Sequence, residues 1–539
     1  MEEPVEKPQP ITLSPFTQAL LGSLKNVLAR PRPDELSKIA VSQAVSFFAL
    51  VYEKLRNAVE YREDHLIRRA AIERILTRRL MLNPSGKNEA ENVLRELLWA
   101  RYFANGSLGG KELIDIQQVI DKYLRLKKKI VTGRDLESQR YLSEHIMDLM
   151  TCEIEETLSP ENASRYSSYI FFIYQVLRKK IKIEGLSDDQ KDAYFLAALE
   201  KSFRKSDQPY QRYHLFVTFY KPIHTYSDTE LDTFAAKAPA LFKKIDETVS
   251  NSYVESLTRF TRKQLPPFLI LFSILKDRGA DADAILSDKG SLWKQVDETC
   301  REKYQQLNTR VRNLAVRSFI YVFLTKMIFA LILEVPVSRW LYGEVNLRSI
   351  GINTIFPPLL MLFIVSVFKI PGEENTKNIF QRIVEIIDAD TSFETNISYM
   401  PKKGTSRKPV LVFGFTVFYS LTFIVTLTVM YIGLLFLEFN MVSIAIFIFF
   451  VCLVTFFSYR VKQIVNEFRL AEKEGILTPI VDFFFMPVLS LGKFFSGGLA
   501  RLNFMIFILD FLIEAPFKLI FEVVEEWISF VRKRKEEII

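Results

Sequence analysis

Two stretches without a single charged residue, 410–437 and 441–459, are separated only by Glu438, Phe439 and Asn440. This pairing constrains the chain more than any other feature. An apolar core of ~30 Å is crossed by about 20 helical residues, because only intrahelical bonds satisfy the backbone there. The first stretch is longer than that and should tilt or extend into the headgroups. The two together predict a tight transmembrane hairpin.

A second hairpin is expected upstream, from spans at 319–335 and 350–368. Lys326 lies near the middle of the first and Glu334 at its end, and the second carries Pro357 and Pro358, which cannot donate backbone hydrogen bonds. The connection 336–349 holds only Arg339 and Arg348 as bases. Basic residues collect elsewhere: Arg310, Arg312 and Arg317 before the first span, Lys402, Lys403, Arg407 and Lys408 before the third, Arg460 and Lys462 after the fourth. The positive-inside rule then places the N-terminus, the 369–409 loop and the C-terminus in the cytoplasm. The expected host is a bacterial plasma membrane, since nothing resembles an organelle address. The acidic, proline-broken start is not expected to act as a secretory signal. Cys152, Cys300 and Cys452 are too few for a disulfide framework and suit a reducing compartment.

Ionisable groups inside a membrane often mark ion or proton paths, so Lys326 and Glu334 are the candidate site residues. The plainer reading is favoured: Lys326 snorkels back toward the headgroups or forms a local ion pair, and Glu334 lies near the outer interface. Thr422, Thr426, Thr428, Cys452, Thr455 and Ser458 supply the other polar texture, and such hydroxyls commonly bond their own helix.

The last residues, FMIFILDFLIEAPFKLIFEVVEEWISFVRKRKEEII, are apolar but regularly interrupted. On a helical wheel Asp510, Glu514, Lys518, Glu522, Glu525 and Glu526 share a sector of about 160°. A polar sector that wide fits a boundary and excludes a span. Trp527 with Arg532, Lys533, Arg534 and Lys535 suits an anionic inner leaflet, the favoured surface for the apolar face, with the groove of a helix bundle as the alternative. Residues 461–539 are therefore expected as cytoplasmic-side interfacial and amphipathic helices. The stretch TPIVDFFFMPVLSLGKFFSGGLA, broken by prolines and glycines, reads as interfacial or re-entrant.

Residues 318–539 hold 21 Lys and Arg against 20 Asp and Glu, which leaves the first 317 residues densely charged and net +7. Apolar residues there recur at three and four, the helical period. The fold class is thus all-α: a flexible tail at 1–33, a cytoplasmic helical bundle or helical-hairpin array at 34–317, and a membrane region at 318–460. Three segments repeat one logic about 50 residues apart, a base-ended helix, a loop with Gly86, Gly133 or Gly185, and an acid-started helix. Helix-dipole complementation and glycine stops produce the same pattern without a repeat. The arginines 62, 68, 69, 74, 78 and 79 are interleaved with Glu63, Asp64 and Glu73, as in a helix held by its own ion pairs, so nucleic acid is not an expected partner.

The four histidines show no paired-ligand spacing, and no nucleophile elbow or phosphate-binding loop occurs. The two Asp-Ala-Asp triplets lie in helical context. No cofactor, metal or catalytic set is expected. The favoured expectation is a membrane-anchored scaffold that recruits protein partners or self-associates. A transporter or channel using Lys326 and Glu334 is the alternative, and a lipid-handling enzyme ranks last.

Overall fold

The computed structural model describes residues 10–28, 38–39, 41, 46, 53, 63–183, 185–279, 281–388, 409–470 and 478–501, with 523, 527, 530, 531 and 534. Among these the fold is all helical, without strands. Two compact units divide it, one built on Leu13–Arg262 and the other on Lys263–Asp388 with Lys402–Asn503. The division falls inside the helix Ser252–Asp277.

In the N-terminal unit, α1 (Pro15–Leu28) is followed by three helix–loop–helix pairs. These are α2 (Asp64–Leu82) with α3 (Glu89–Trp99), α4 (Gly110–Val131) with α5 (Leu136–Leu158), and α6 (Pro160–Arg178) with α7 (Asp188–Leu199). The turning residue of each pair is a glycine at positive φ: Gly86 at 66°, Gly133 at 80° and Gly185 at 79°. Only glycine takes that conformation without steric cost. At Gly86 the packing adds a second demand, since a Cβ there would lie 2.4 Å from Leu124 Cδ1. The next helix of a pair is then started by a cap. Asp135 accepts from the Ser138 amide at 2.9 Å, and Ser187 with Gln190 forms a capping box. The unit continues with α8 (Gln208–Phe219) and α9 (Asp228–Val249). Its interior combines fully buried Leu94, Ile120, Leu149, Phe216 and Phe242 with an unusual amount of buried charge.

Part of that charge is the arginine face of α2. Arg68 pairs with Glu155 at 2.5 Å, Arg69 with Asp207 and Glu73 at 2.9 Å, Arg74 with Glu53 at 3.1 Å, and Arg79 with Glu96 at 3.0 Å. Most of these carboxylates come from other segments of the unit. The face therefore holds helices together, beyond the local pairing read from the sequence.

A second charged group forms where α7 runs into a π-turn, Glu200–Arg204. The turn directs both Glu200 and Arg204 inward. His214 lies between carboxylates, Nε2 at 2.8 Å from Glu156 and Nδ1 at 2.7 Å from Glu200. Burial alone would strip its proton, but Glu200 and Glu156 overcome that and raise its pKa to about 9. Folded chains thus hold this proton more tightly than unfolded ones between the ordinary histidine value and about pH 9. The stabilisation is complete below that window and is lost as pH rises through it, on the order of 3 kcal/mol at most. Thermal unfolding of the full chain should show Tm falling from pH 6.5 to 9, and an imidazole titration by NMR should find His214 still protonated at pH 7.5. A neutral His214 at that pH would contradict the assignment.

The junction runs through α10 (Ser252–Asp277) and α11 (Ala282–Ser287) into the second unit. There α12 (Lys289–Phe329) continues through a π-turn, Ala330–Glu334, into α13 (Val335–Tyr342). It is followed by α14 (Leu347–Ser366), α15 (Glu373–Ile387), α16 (Pro409–Phe436), α17 (Met441–Val465) and α18 (Thr478–Arg501). Among the described residues four helices are long and apolar enough to cross a membrane: the α12–α13 helix, α14, α16 and the α17 helix. α14 stays helical through Pro357 and Pro358, both buried.

The helices α12, α14 and α17 pack on one another through Leu307, Val311, Met361, Val365, Val454 and Val461. α16 is different: most of its surface is exposed, and it touches α17 little. At one end of this bundle, Asn375 of α15 donates to Tyr304 Oη of α12 and to the Phe468 carbonyl just after α17, both at 2.8 Å. Trp293 of α12 meets Phe380 of α15 edge to face at 5.1 Å. At the opposite end, Asn440 donates to Ser338 at 3.1 Å and Asn346 to the Glu438 carbonyl at 3.3 Å. The start of α12 and the end of α17 therefore share one end of the bundle.

Candidate functional site: a polar cluster among the membrane helices

Lys326 and Glu334 are eight positions apart in sequence, and on an unbroken α-helix that would rotate one about 80° from the other. Pro336 has no N–H to donate, and the backbone ahead of it loosens into the Ala330–Glu334 π-turn, closed by Val335 N–H on the Ala330 carbonyl. The extra residue leaves the pair spaced as if seven apart, within about 20° of one stripe. Lys326 Nζ then reaches Glu334 Oε2 at 3.3 Å.

Both side chains are 0% exposed. The ammonium lies 4.8 Å from the centre of the Phe450 ring of α17, which offers its negative face to the cation. Asn353 of α14, also fully buried, donates through Nδ2 to Glu334 Oε1 at 2.6 Å and to the Ser443 carbonyl of α17 at 3.2 Å. A single cluster thus ties α12, α14 and α17 together. Asn353 Oδ1 and Ser443 Oγ are buried without hydrogen-bond partners among the described residues. Ser443 N–H is used as a cap contact, donating to Asn440 Oδ1 at 2.8 Å.

This arrangement decides between the two plain readings of Lys326. Snorkelling would send the side chain toward the start of α12, as helical side chains lean, yet it points the other way, toward Glu334. Inside a low-dielectric bundle a carboxylate at contact distance outweighs the lean. Glu334 is likewise enclosed by protein. Asn353 and Ser443 were not singled out by the sequence reading. Asn353 is the amide buried in the apolar run 350–368, and an amide at that depth needs partners; that signal could have found it. Ser443 looks like an ordinary cap residue, and nothing in the pattern separates it. Three of the noted hydroxyls bond their own helices, Thr422 to the Phe418 carbonyl at 3.0 Å, Thr455 to that of Val451 at 2.8 Å and Ser458 to that of Val454 at 2.9 Å.

Of the interface candidates, Trp527 is 64% exposed and Arg534 is exposed, both in helical conformation. Arg532, Lys533 and Lys535 lie outside the described residues. The chain matches no protein-family model, no curated protein and no solved structure.

Proposed function

We propose that the chain is a membrane-anchored scaffold whose helical N-terminal unit, placed in the cytoplasm, engages protein partners or a second copy. The observation that carries this reading is the enclosure of Lys326 and Glu334 by packed protein, each bonded within the bundle. A charge pair closed off in this way serves assembly of the anchor, and the remaining bulk of the chain is an interaction body. The orientation is supported by exposed Arg310, Arg312, Arg317, Lys369 and Arg460 on the segments at the α15 end of the bundle. Leu82 and Leu136, 75% and 84% exposed, are apolar side chains that a partner could cover.

Cross-linking in native membranes from cysteines placed at Leu82 and Leu136 tests the reading. Adducts with another protein or a second copy are expected, and monomer alone at both positions would overturn it. A solute pathway is the second reading, favoured by the unpartnered Asn353 Oδ1 and Ser443 Oγ. It requires a flux in proteoliposomes that the K326M/E334Q double substitution abolishes.

A further inference from the structure

The sequence pattern of α18 reads as interfacial or re-entrant, and its contacts fall in the middle of the hairpin formed by α16 and α17. Gly492 rests on Cys452 so closely that a Cβ built there would lie 2.2 Å from the Cys452 carbonyl oxygen and 2.7 Å from Phe456 Cβ. No other residue fits this approach, and small residues are what let membrane helices come together. Phe495 meets Phe449 edge to face at 5.0 Å. On the other helix, Phe483 stacks on Phe418 at 5.2 Å and the Ser490 and Tyr419 hydroxyls lie 2.9 Å apart.

These contacts set both direction and depth. Ascending positions on α18 meet descending positions on α17, so the two run antiparallel. Cys452 lies about 10 Å of helix rise from Tyr459 and about 17 Å from Met441, well inside the uncharged run. Phe449 is about 12 Å from Met441, and α18 extends about 9 Å beyond Phe495 to Arg501. The helix therefore starts at the end of the bundle where α17 finishes and ends near the level of the 438–440 turn.

We propose that α18 is a fifth membrane-inserted helix, with exposed Phe485, Met486 and Phe494 against lipid acyl chains and Arg501 delivered to the interface opposite Lys462. Lipid is the occupant because this face is continuous with the exposed apolar sides of α16, such as Phe418 and Leu421, which the same hydrocarbon must cover. Lys493 beside Gly492 is accommodated by the same direction: side chains lean toward a helix's N-terminus, which carries its ammonium back toward the Lys462 interface. The proposal stands independently of the scaffold reading. It replaces the expectation that this stretch is interfacial or re-entrant and that the chain returns to the cytoplasmic side.

The test uses full-length protein with Cys152, Cys300 and Cys452 replaced by alanine, carrying K462C or R501C in sealed vesicles of one orientation. An impermeant maleimide should label one cysteine from outside and the other only after lysis. Labelling of both from the same side, whichever it is, would overturn the insertion. F494C should resist the aqueous maleimide and report lipid through quenching by brominated acyl chains; a cross-link between two copies at this position would instead assign the face to self-association and overturn the lipid assignment. Finally, F449C with F495C should form an oxidative cross-link that Gly492→Leu abolishes. A cross-link unaffected by the leucine would sink the docking contact itself.

Discussion

Lys326→Met is expected to destabilise the membrane bundle by about 3–5 kcal/mol, the usual effect of removing one partner of a buried ion pair. Methionine fills the volume and keeps contact with Phe450, so the loss is chiefly electrostatic. It leaves Glu334 enclosed, with the Asn353 amide, at 2.6 Å, its remaining side-chain donor among the described residues. Adding E334Q should restore most of the stability, because a neutral amide still accepts from Asn353 and carries no uncompensated charge. The measurement is a double-mutant cycle on thermal unfolding in detergent, with the apolar helices monitored by fluorescence. Strong non-additivity is the expected result. If the two losses simply add, the pair does not hold the bundle together.

Arg204→Met should have a comparable effect in the N-terminal unit, again about 3–5 kcal/mol. Arg204 Nη2 lies 3.0 Å from Glu156 Oε1, and its guanidinium is sandwiched over Tyr166 at 5.3 Å and Tyr210 at 4.9 Å. Removing it strands Glu156 and Glu200 with His214 as their remaining cation and discards both ring contacts. Arg204→Lys should recover only part, since an ammonium neither stacks nor bonds in a planar fork. Chemical denaturation of the full chain, followed by the tyrosine signal, checks both variants. A loss below about 1 kcal/mol for the methionine variant would reduce the group to a surface-like ion pair.

How legible these features were depended on the distance over which each is encoded. The hairpin of α16 and α17 is written in adjacent residues: two uncharged runs and a three-residue turn leave the backbone one way to satisfy itself in lipid. The glycines 86, 133 and 185 were equally plain, because positive φ is a local demand. The direction of Lys326 was not, since it depends on a π-turn that realigns residues eight positions apart and on a ring from a helix more than a hundred residues later. The arginine face of α2 looked self-paired for the same reason, as Glu96, Glu155 and Asp207 are distant in sequence.

One reversal carries the general lesson. The longest uncharged run, in α16, is the least packed of the four apolar helices, whereas the equally uncharged start of α17 is the most buried and packs on the helices that carry Lys326, Glu334 and the proline pair. Lipid can solvate an uncharged helix on all sides, so the absence of charge leaves open how much such a helix packs. A helix bearing charge must be sheathed by protein, with partners brought from elsewhere in the chain. Composition and spacing alone were enough to establish an all-helical chain with apolar helices long enough to cross a bilayer. Which helix became the core, which charge met which, and how deep Gly492 carries α18 were settled only by packing, because those energies exist only between segments far apart in sequence.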